Sequence, residues 1–194
     1  MSLPATSEAC LREMPKKLAK KKLQVDPTKR DVIAAEKALG AGEHAKAGKL
    51  AMRAVPKLSE LPPIGAAELP TRAQRTLAMA QVRSGGAIEV APGVGGDDAY
   101  AKQVGLAWAE LTLTYQSALQ SDNLLVRSQM AEALAADSYQ ADRARDILRD
   151  LSTRDLMPTA RGYAVLAHLE ADATARDAAL GRCRDLGGDS VCKA

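Results

Sequence analysis

The sequence predicts an all-α fold of antiparallel helix hairpins, and three observations support this prediction. Alanine, the strongest helix former, supplies 38 of the 194 residues. No stretch alternates apolar and polar residues for the length that a strand needs. A seven-residue phrase occurs three times, each time where an alanine-rich helix ends at a Gly or Asp, at residues 38–44, 133–139 and 168–174. Such hairpins cannot bury their apolar faces alone and are expected to stack on their neighbours.

Local signals divide the N-terminal part of the chain into helices. The predicted helices cover residues 6–14, 16–23, 27–41 and 43–58. Pro15 separates the first two, since proline is tolerated only in the first turn of a helix. Asp26 precedes Pro27 and forms a capping pair for the third helix, which Gly42 ends. The proline-rich segment 61–65 is predicted to be a rigid linker.

The C-terminal part of the chain repeats this organisation. Helices are predicted at residues 71–84, 123–136, 138–151, 158–171 and 173–186, with a long helix from a cap at Asp97-Asp98 to about residue 121. Asp137, Pro158 and Asp172 mark three of the helix starts. Equivalent positions in the last two hairpins lie 35 residues apart, which is close to the period of helix-turn-helix repeats. These pairs are Ala144 and Ala179, Leu148 and Cys183, and Leu151 and Leu186.

The long helix carries an apolar stripe spaced by three or four residues. It comprises Tyr100, Val104, Ala107, Trp108, Leu111, Tyr115 and Ala118. The glycine-rich segment 85–96 before this helix is the longest irregular stretch, and the sequence leaves open whether it is disordered or a lid. Trp108, the only tryptophan, is interpreted as core or helix-contact packing, with a groove wall or an interface anchor as the alternative.

We divide the chain into three segments that are expected to form one continuous helical domain. Residues 1–60 hold the basic N-terminal helices and the first hairpin. Residues 66–121 hold a long irregular helix pair with the loop 85–96. Residues 122–194 hold two repeat-like hairpins and a C-terminal tail.

Positive charge is concentrated at the N-terminus. Residues 1–60 hold 13 Lys and Arg against 7 Asp and Glu, whereas the remainder holds 14 against 17. Five lysines cluster on one predicted helix: Lys16, Lys17, Lys20, Lys21 and Lys22. The cluster is either a solvated helix face or a surface that contacts an anionic membrane or nucleic acid. No aromatic residue lies within residues 1–60 to stack on a base, which disfavours nucleic acid.

The three cysteines leave the compartment open. Cys183 and Cys192 flank a helix stop at Leu186-Gly187-Gly188, so the tail could fold back and bring the two sulfurs together. The alternative is a buried thiol at Cys183. A disulfide would favour a periplasmic or secreted protein whose export signal was trimmed; otherwise we expect a cytoplasmic protein. No apolar run is long enough for a transmembrane helix, and no signal-peptide core is recognised at the start.

Residues that could carry chemistry are few, and we expect neither enzymatic activity, nor a cofactor, nor a metal site. His44 and His168, the only histidines, both lie within the repeated phrase and are interpreted as packing residues. No pair of histidines or cysteines has metal-ligand spacing. The segment 93–98 places glycines before a helix, but its two aspartates would repel a phosphate and favour capping instead.

The three phrases resemble the tetratricopeptide repeat, with degenerate units. Gly42, Asp137 and Asp172 stand at the turn, and His44, Tyr139 and Thr174 stand at the aromatic position two residues later. Five residues after the turn, where the family has a small contact residue, the sequence has Ala47, Asp142 and Asp177, and the family's closing proline is missing. The resemblance covers residues 27–58 and 123–186 and implies hairpins stacked as a short right-handed superhelix, an α-solenoid.

The resemblance implies a non-enzymatic protein–protein interaction or scaffolding module, which binds a protein or peptide in a groove of stacked hairpins. The alternative is a basic surface-binding protein that makes peripheral membrane contact, or contacts nucleic acid, through the lysine-rich helix. The residues expected to contact a partner or surface are these five lysines and Trp108.

Overall fold

A computed structural model describes residues 26–58, 68–187 and 191–192. Within these ranges the protein is all-α, and its one β-type contact is an isolated bridge between Ala91 and Val94. The described residues form eight helices: α1 Pro27–Gly40, α2 His44–Leu58, α3 Glu68–Arg83, α4 Ala99–Leu119, α5 Leu124–Leu134, α6 Ala141–Thr153, α7 Ala160–Leu169 and α8 Ala173–Gly187. The predicted helices 6–14 and 16–23 and the linker 61–65 lie outside the described residues.

Polar side chains begin most of these helices by accepting the first free backbone N–H groups. Asp26 Oδ1 accepts from Thr28 N at 2.8 Å at the start of α1. Asp98 accepts from the backbone of residues 100 and 101 at 2.9 and 3.0 Å at the start of α4. Thr159 caps α7 by accepting from Gly162 N at 3.2 Å. The predicted start at Pro158 is therefore displaced by one residue, because the threonine makes the capping bond.

Asp137 was predicted to start a helix, and this prediction is wrong. Its carboxylate accepts from Tyr139 N at 2.9 Å, and Gln140 N donates to the Asp137 carbonyl at 3.0 Å. These bonds form a turn, so α6 begins only at Ala141. The turn after α1 differs again, because Gly42 has a positive φ of 80°. The turns at the first two phrases therefore differ in conformation.

Each helix packs against the next helix along the described chain. Each of the three phrases lies at the turn between two helices that contact each other: α1 and α2, α5 and α6, and α7 and α8. The odd-numbered helices also contact one another in sequence, α1 with α3, α3 with α5 and α5 with α7. Among the described residues, no comparable contact joins the even-numbered helices. We call α1, α3, α5 and α7 the odd-helix layer.

Apolar residues fill two large adjoining cores, and a smaller third cluster joins Val32 of α1, Ala54 of α2 and Ala73 of α3. The first includes buried side chains from α1 to α6, and the second includes side chains from α5 to α8 and the tail. Ile147 and Leu169 pack against both cores and so connect them. Alanine supplies much of the buried surface, which lets the helix axes approach closely.

Two of the three residue pairs at the 35-residue period are buried in both hairpins. Ala144 and Ala179 are buried, as are Leu148 and Cys183. The third pair differs, because Leu151 is fully buried whereas Leu186 is exposed. At the aromatic position of the phrase, Tyr139 is exposed and packs against no core. Two of the three paired positions are therefore buried in both hairpins, and the third is buried only in the first.

The predicted apolar stripe of α4 faces away from the core. Four positions of α4 are buried: Gly105, Ala109, Leu113 and Gln116. Tyr100, Leu111 and Tyr115 are exposed, and Trp108 is only partly buried. The helix contacts its neighbours through the side that carries the four buried residues, and a search for regularly spaced bulky side chains does not reveal this side because Gly105 and Ala109 are small.

Cys183 of α8 forms a disulfide with Cys192 of the tail. Both residues are buried, and both belong to the second core. Of the two alternatives for Cys183, the structure therefore contains the bridge. It closes a short loop at the C-terminal end of the described chain.

Candidate functional site

Ion pairs connect neighbouring helices of the odd-helix layer at each of the three contacts between them. Between α1 and α3, Arg72 Nε donates to Glu36 Oε1 at 2.8 Å, and Arg72 Nη2 donates to Oε2 at 2.6 Å. Glu68 lies 3.5 Å from the same guanidinium. The hydrogen bonds to Glu36 raise the pKa of Arg72. A bidentate pair of this kind fixes orientation as well as distance.

Glu132 joins the next three helices of the layer. Arg83 of α3 donates to both of its carboxylate oxygens, at 2.9 and 3.0 Å. Arg161 of α7 donates from Nε to Glu132 Oε1 at 3.4 Å. The Glu132 side chain is only 7% exposed, so its charge depends on these two arginines for compensation. The pairs therefore hold the relative position of α3, α5 and α7.

A cavity of about 790 Å³ lies on the odd-helix layer. Its walls come from α1, α3 and α5 and from the turns that precede α5 and α7. We call it the main groove and define it by Glu36, Arg75, Asn123, Gln129 and Thr159. Its volume falls within the range of roughly 300–1,000 Å³ that ligand sites occupy.

A second cavity of about 290 Å³ lies on the same layer. Its walls come from α3, from α7 and from the C-terminal end of α5 and the residues after it, and they include Arg161 and His168. Arg83 lines both cavities. The two cavities together therefore extend along the odd-numbered helices from α1 to α7.

Arg75 differs from the other arginines of the main groove. Arg72 and Arg83 are held by glutamates, whereas Arg75 makes no hydrogen bond or ion pair with the described residues. Burial lowers the pKa of Arg75. An arginine stays protonated at neutral pH even so, because its ordinary pKa is far higher. The groove thus contains a partly desolvated cation that no described carboxylate neutralises by direct contact.

Gln129 adds an unsatisfied polar group to the same wall. Its Oε1 is buried and has no hydrogen-bond partner among the described residues. Buried amide groups are normally paired, so this oxygen is available to a hydrogen-bond donor such as water or a bound molecule. Because the two ends of an amide side chain can exchange by rotation, this position can either accept or donate.

His44 lies at the start of α2 and is partly buried. Its Nδ1 is buried without a hydrogen-bond partner in the described part of the chain. Burial lowers the pKa of His44, and the positive charges of Arg83 and Arg161 lower it further. A neutral imidazole is therefore favoured at this position. His168, by contrast, is exposed on the wall of the second cavity and has no packing role in either core.

Among the residues predicted to contact a partner, the five lysines from Lys16 to Lys22 lie outside the described residues. Trp108 lies on α4 and packs against the edge of the first core. It lines a third cavity, of about 400 Å³, together with Leu111 and Tyr115. This cavity is separate from the main groove, so the structure does not bring Trp108 to it.

The glycine-rich segment 85–96 folds onto the α3–α4 pair around one buried side chain. Gln81 Nε2 donates to the Gly86 carbonyl at 3.0 Å, and Gln81 Oε1 accepts from Ile88 N at 3.0 Å. Gly95 N donates to the Ala101 carbonyl at 2.7 Å, which fixes the end of the segment to α4. The segment is thus an ordered structural loop, neither disordered nor a detached lid.

Two structural features bear on other classes of function. None of the described helices combines the length and apolar character that crossing a bilayer requires. Within the described ranges, no three His, Cys, Asp or Glu side chains gather closely enough to hold a metal ion.

No family model, curated protein or solved structure matches the chain. The site is therefore characterised by its own residues. Sequence reasoning missed Arg75, Gln129 and the ion pairs between helices of the layer, because the paired residues are separated by 29 or more residues and follow no motif. The available signal was weak: Arg72 and Arg75 lie on one predicted helix that carries several arginines.

Proposed function

We propose that the chain is a non-enzymatic protein-interaction module that binds a peptide in the main groove. The observation that carries this proposal is that both cavities of the odd-helix layer lie on one face and share Arg83. In stacked helical hairpins the first helix of each pair lines the inner, concave surface, where an extended partner can bind. The contacts of α1 with α3, α3 with α5 and α5 with α7 support this arrangement.

The same contacts support the finer proposal that the hairpins form a short right-handed superhelix similar to tetratricopeptide repeats. Successive contacts within one set of helices bend such a stack toward that set. The ion pairs of Glu36 with Arg72 and of Glu132 with Arg83 would hold the curvature constant. A groove held in this way loses little conformational entropy when a partner binds.

The chemistry of the groove favours a peptide with a carboxylate. Arg75 is the cation of the groove that lacks a bonded carboxylate among the described residues, and a guanidinium binds carboxylates bidentately. Glu36 and Glu68 are already engaged with Arg72 and so compete little for Arg75. Asn123 and Gln129 could then bind the peptide backbone.

The test is selection from a library of random twelve-residue peptides, displayed with free and with amidated C-termini. We expect enrichment of peptides that have an acidic residue or a free terminal carboxylate. Arg75→Ala should weaken their binding at least about tenfold, as expected for the loss of a charge-assisted hydrogen bond. Arg143→Ala is the matched control, because Arg143 is exposed on α6, outside both cavities.

The binding of the two variants tests the proposal. If Arg75→Ala weakens binding and Arg143→Ala does not, the groove is the site. If the wild-type protein enriches no peptide, or if both variants bind as the wild type does, the proposal is wrong.

A further inference from the structure

The side of α4 that faces away from the core carries no charged residue. This helix has 21 residues, and its only charged side chains are Lys102 and Glu110. An α-helix turns by about 100° per residue. Placed on such a helix, Lys102 and Glu110 both lie outside a sector that covers roughly half of the circumference of α4 and contains no charged residue. We call this sector the α4 outer face. It comprises Tyr100, Gln103, Val104, Ala107, Trp108, Leu111, Thr114, Tyr115, Ala118 and Leu119.

Large apolar side chains of this face are in contact with solvent. Tyr100 is 74% exposed, Leu111 71% and Tyr115 65%, and Leu119 at the end of the helix is 66% exposed. A helix that is apolar on all sides is normally buried on all sides. An uncharged face that runs the length of a helix therefore indicates a surface that becomes covered.

We propose that a second copy of this chain covers the α4 outer face, so that the protein forms a two-fold symmetric dimer. A two-fold interface joins the same patch on both subunits, so the patch must not repel itself. The α4 outer face meets this condition because it carries no charge. Two such helices, each about 30 Å long, can lie antiparallel along the face.

The exposed area is sufficient for such a dimer. A tyrosine side chain presents about 150–250 Å² when fully exposed, and a leucine presents roughly half as much. At the observed exposures, the two tyrosines and two leucines together contribute about 300–500 Å² on each copy. Two copies would thus bury about 600–1,000 Å² through these four residues, which approaches the lower limit of a specific interface. Trp108 and the smaller residues of the face would add to this area.

The charge pattern disfavours the other occupants of this face. Helices that lie on anionic membranes flank their apolar side with Lys and Arg, and the described α4 provides Lys102 alone. Nucleic acid requires positive charge, which the face does not have. The main groove lies on a different surface, so dimer formation and peptide binding can be tested separately.

The experiment is sedimentation equilibrium of the full chain from about 1 to 100 μM, where a weak to moderate dimer would be partly dissociated. We expect a mass that rises from 20.5 kDa toward twice that value. Leu111→Glu places a charge within the face on each copy and should weaken the dimer at least tenfold. Leu186→Glu is the matched control, because Leu186 is an exposed leucine on α8 that is 58% accessible.

A second readout comes from Trp108, the only tryptophan. Its emission should shift to shorter wavelength as the concentration rises, and Leu111→Glu should abolish this shift. Circular dichroism of the variants establishes that they are folded. A wild-type protein that stays monomeric at 100 μM would overturn the proposal, as would a Leu111→Glu variant that dimerises like the wild type. A blue shift that requires phosphatidylcholine–phosphatidylglycerol vesicles would instead identify the face as a membrane contact and would equally overturn it.

Discussion

Arg83 and Glu132 are 49 residues apart in the chain and form two parallel hydrogen bonds, of 2.9 and 3.0 Å, between α3 and α5. The glutamate also accepts from Arg161, so a single carboxylate connects three helices of the odd-helix layer. Both cavities of that layer border Arg83. The shape of the candidate binding surface therefore depends on an ion pair that is itself largely removed from water.

Replacing Glu132 by Gln should destabilise the fold. The substitution keeps the shape of the side chain but leaves two arginines without their carboxylate. Because the Arg83 side chain is 15% exposed, we expect a loss of about 2–4 kcal/mol in the free energy of unfolding, rather less than a fully buried pair would give. Urea denaturation measures it. Glu43→Gln is the control, since Glu43 pairs with Lys46 at the surface and should change the stability by under about 1 kcal/mol. Equal effects of the two substitutions would show that the ion pairs of Glu132 stabilise the fold no more than the surface pair of Glu43 does.

A second buried carboxylate makes stability depend on pH. Arg149 Nε donates to Glu170 Oε1 at 2.6 Å, and Arg149 Nη2 donates to Oε2. These hydrogen bonds lower the pKa of Glu170. The unfolded chain therefore binds the proton more tightly than the folded protein. The stabilisation is complete above the ordinary glutamate pKa of about 4.3, and it is lost as the pH falls through the lowered value.

We therefore expect the thermal midpoint of the wild type to fall more steeply between about pH 5 and pH 2 than that of Glu170→Gln. Differential scanning calorimetry across this range measures the difference. Asp142→Asn is the control, because Asp142 is exposed and its pair with Arg145 lies on the surface. If Glu170→Gln and the wild type respond in parallel, the pair does not contribute to acid sensitivity.

The bridge between Cys183 and Cys192 should stabilise the C-terminal hairpin. It closes a loop with a sequence separation of 9, for which the chain-entropy estimate is about 2–3 kcal/mol. Reduction by a phosphine should lower the thermal midpoint, and replacement of both cysteines by serine should lower it at least as much, because the hydroxyls would be buried in the second core. Alkylation of the unfolded, unreduced protein should modify only one of the three cysteines, Cys10. Modification of all three without reduction would show that the bridge does not form.

The approximate positions of the described helices were predictable, apart from the start of α6, but which face of each helix is buried was only partly predictable. Caps such as Asp98 and breakers such as Gly42 act within a few residues, so local chemistry revealed them. The faces of α4 depend on which neighbours approach it. Bulky residues at a spacing of three or four suggested the core side, yet the packing contact runs through Gly105 and Ala109. The groove escaped prediction for the same reason, because it is formed by residues that only the tertiary fold brings together.

Two glycines within helices test this account of close packing. Gly105 lies in α4 where it meets the loop that Gln81 holds. A Cβ at residue 105 would lie 2.0 Å from Gln81 Nε2 and 2.9 Å from the Cα of Gly95. Gly181 lies in α8, and a Cβ there would have no atom within 4 Å. The same substitution should therefore have opposite effects at the two sites.

Gly105→Ala should lower the free energy of unfolding by about 1–3 kcal/mol, since the new methyl group must displace Gln81 and its two bonds to the loop. Gly181→Ala should raise it by up to about 1 kcal/mol, because alanine has the higher helix propensity and meets no obstacle. Chemical denaturation of both variants measures whether each substitution raises or lowers the free energy of unfolding. Amide hydrogen exchange should also rise in the segment 85–96 of Gly105→Ala, where Ile88 N bonds to Gln81, and stay unchanged there in Gly181→Ala. If Gly105→Ala were as stable as the wild type, with the loop still protected, the loop would not depend on the contact between α4 and Gln81.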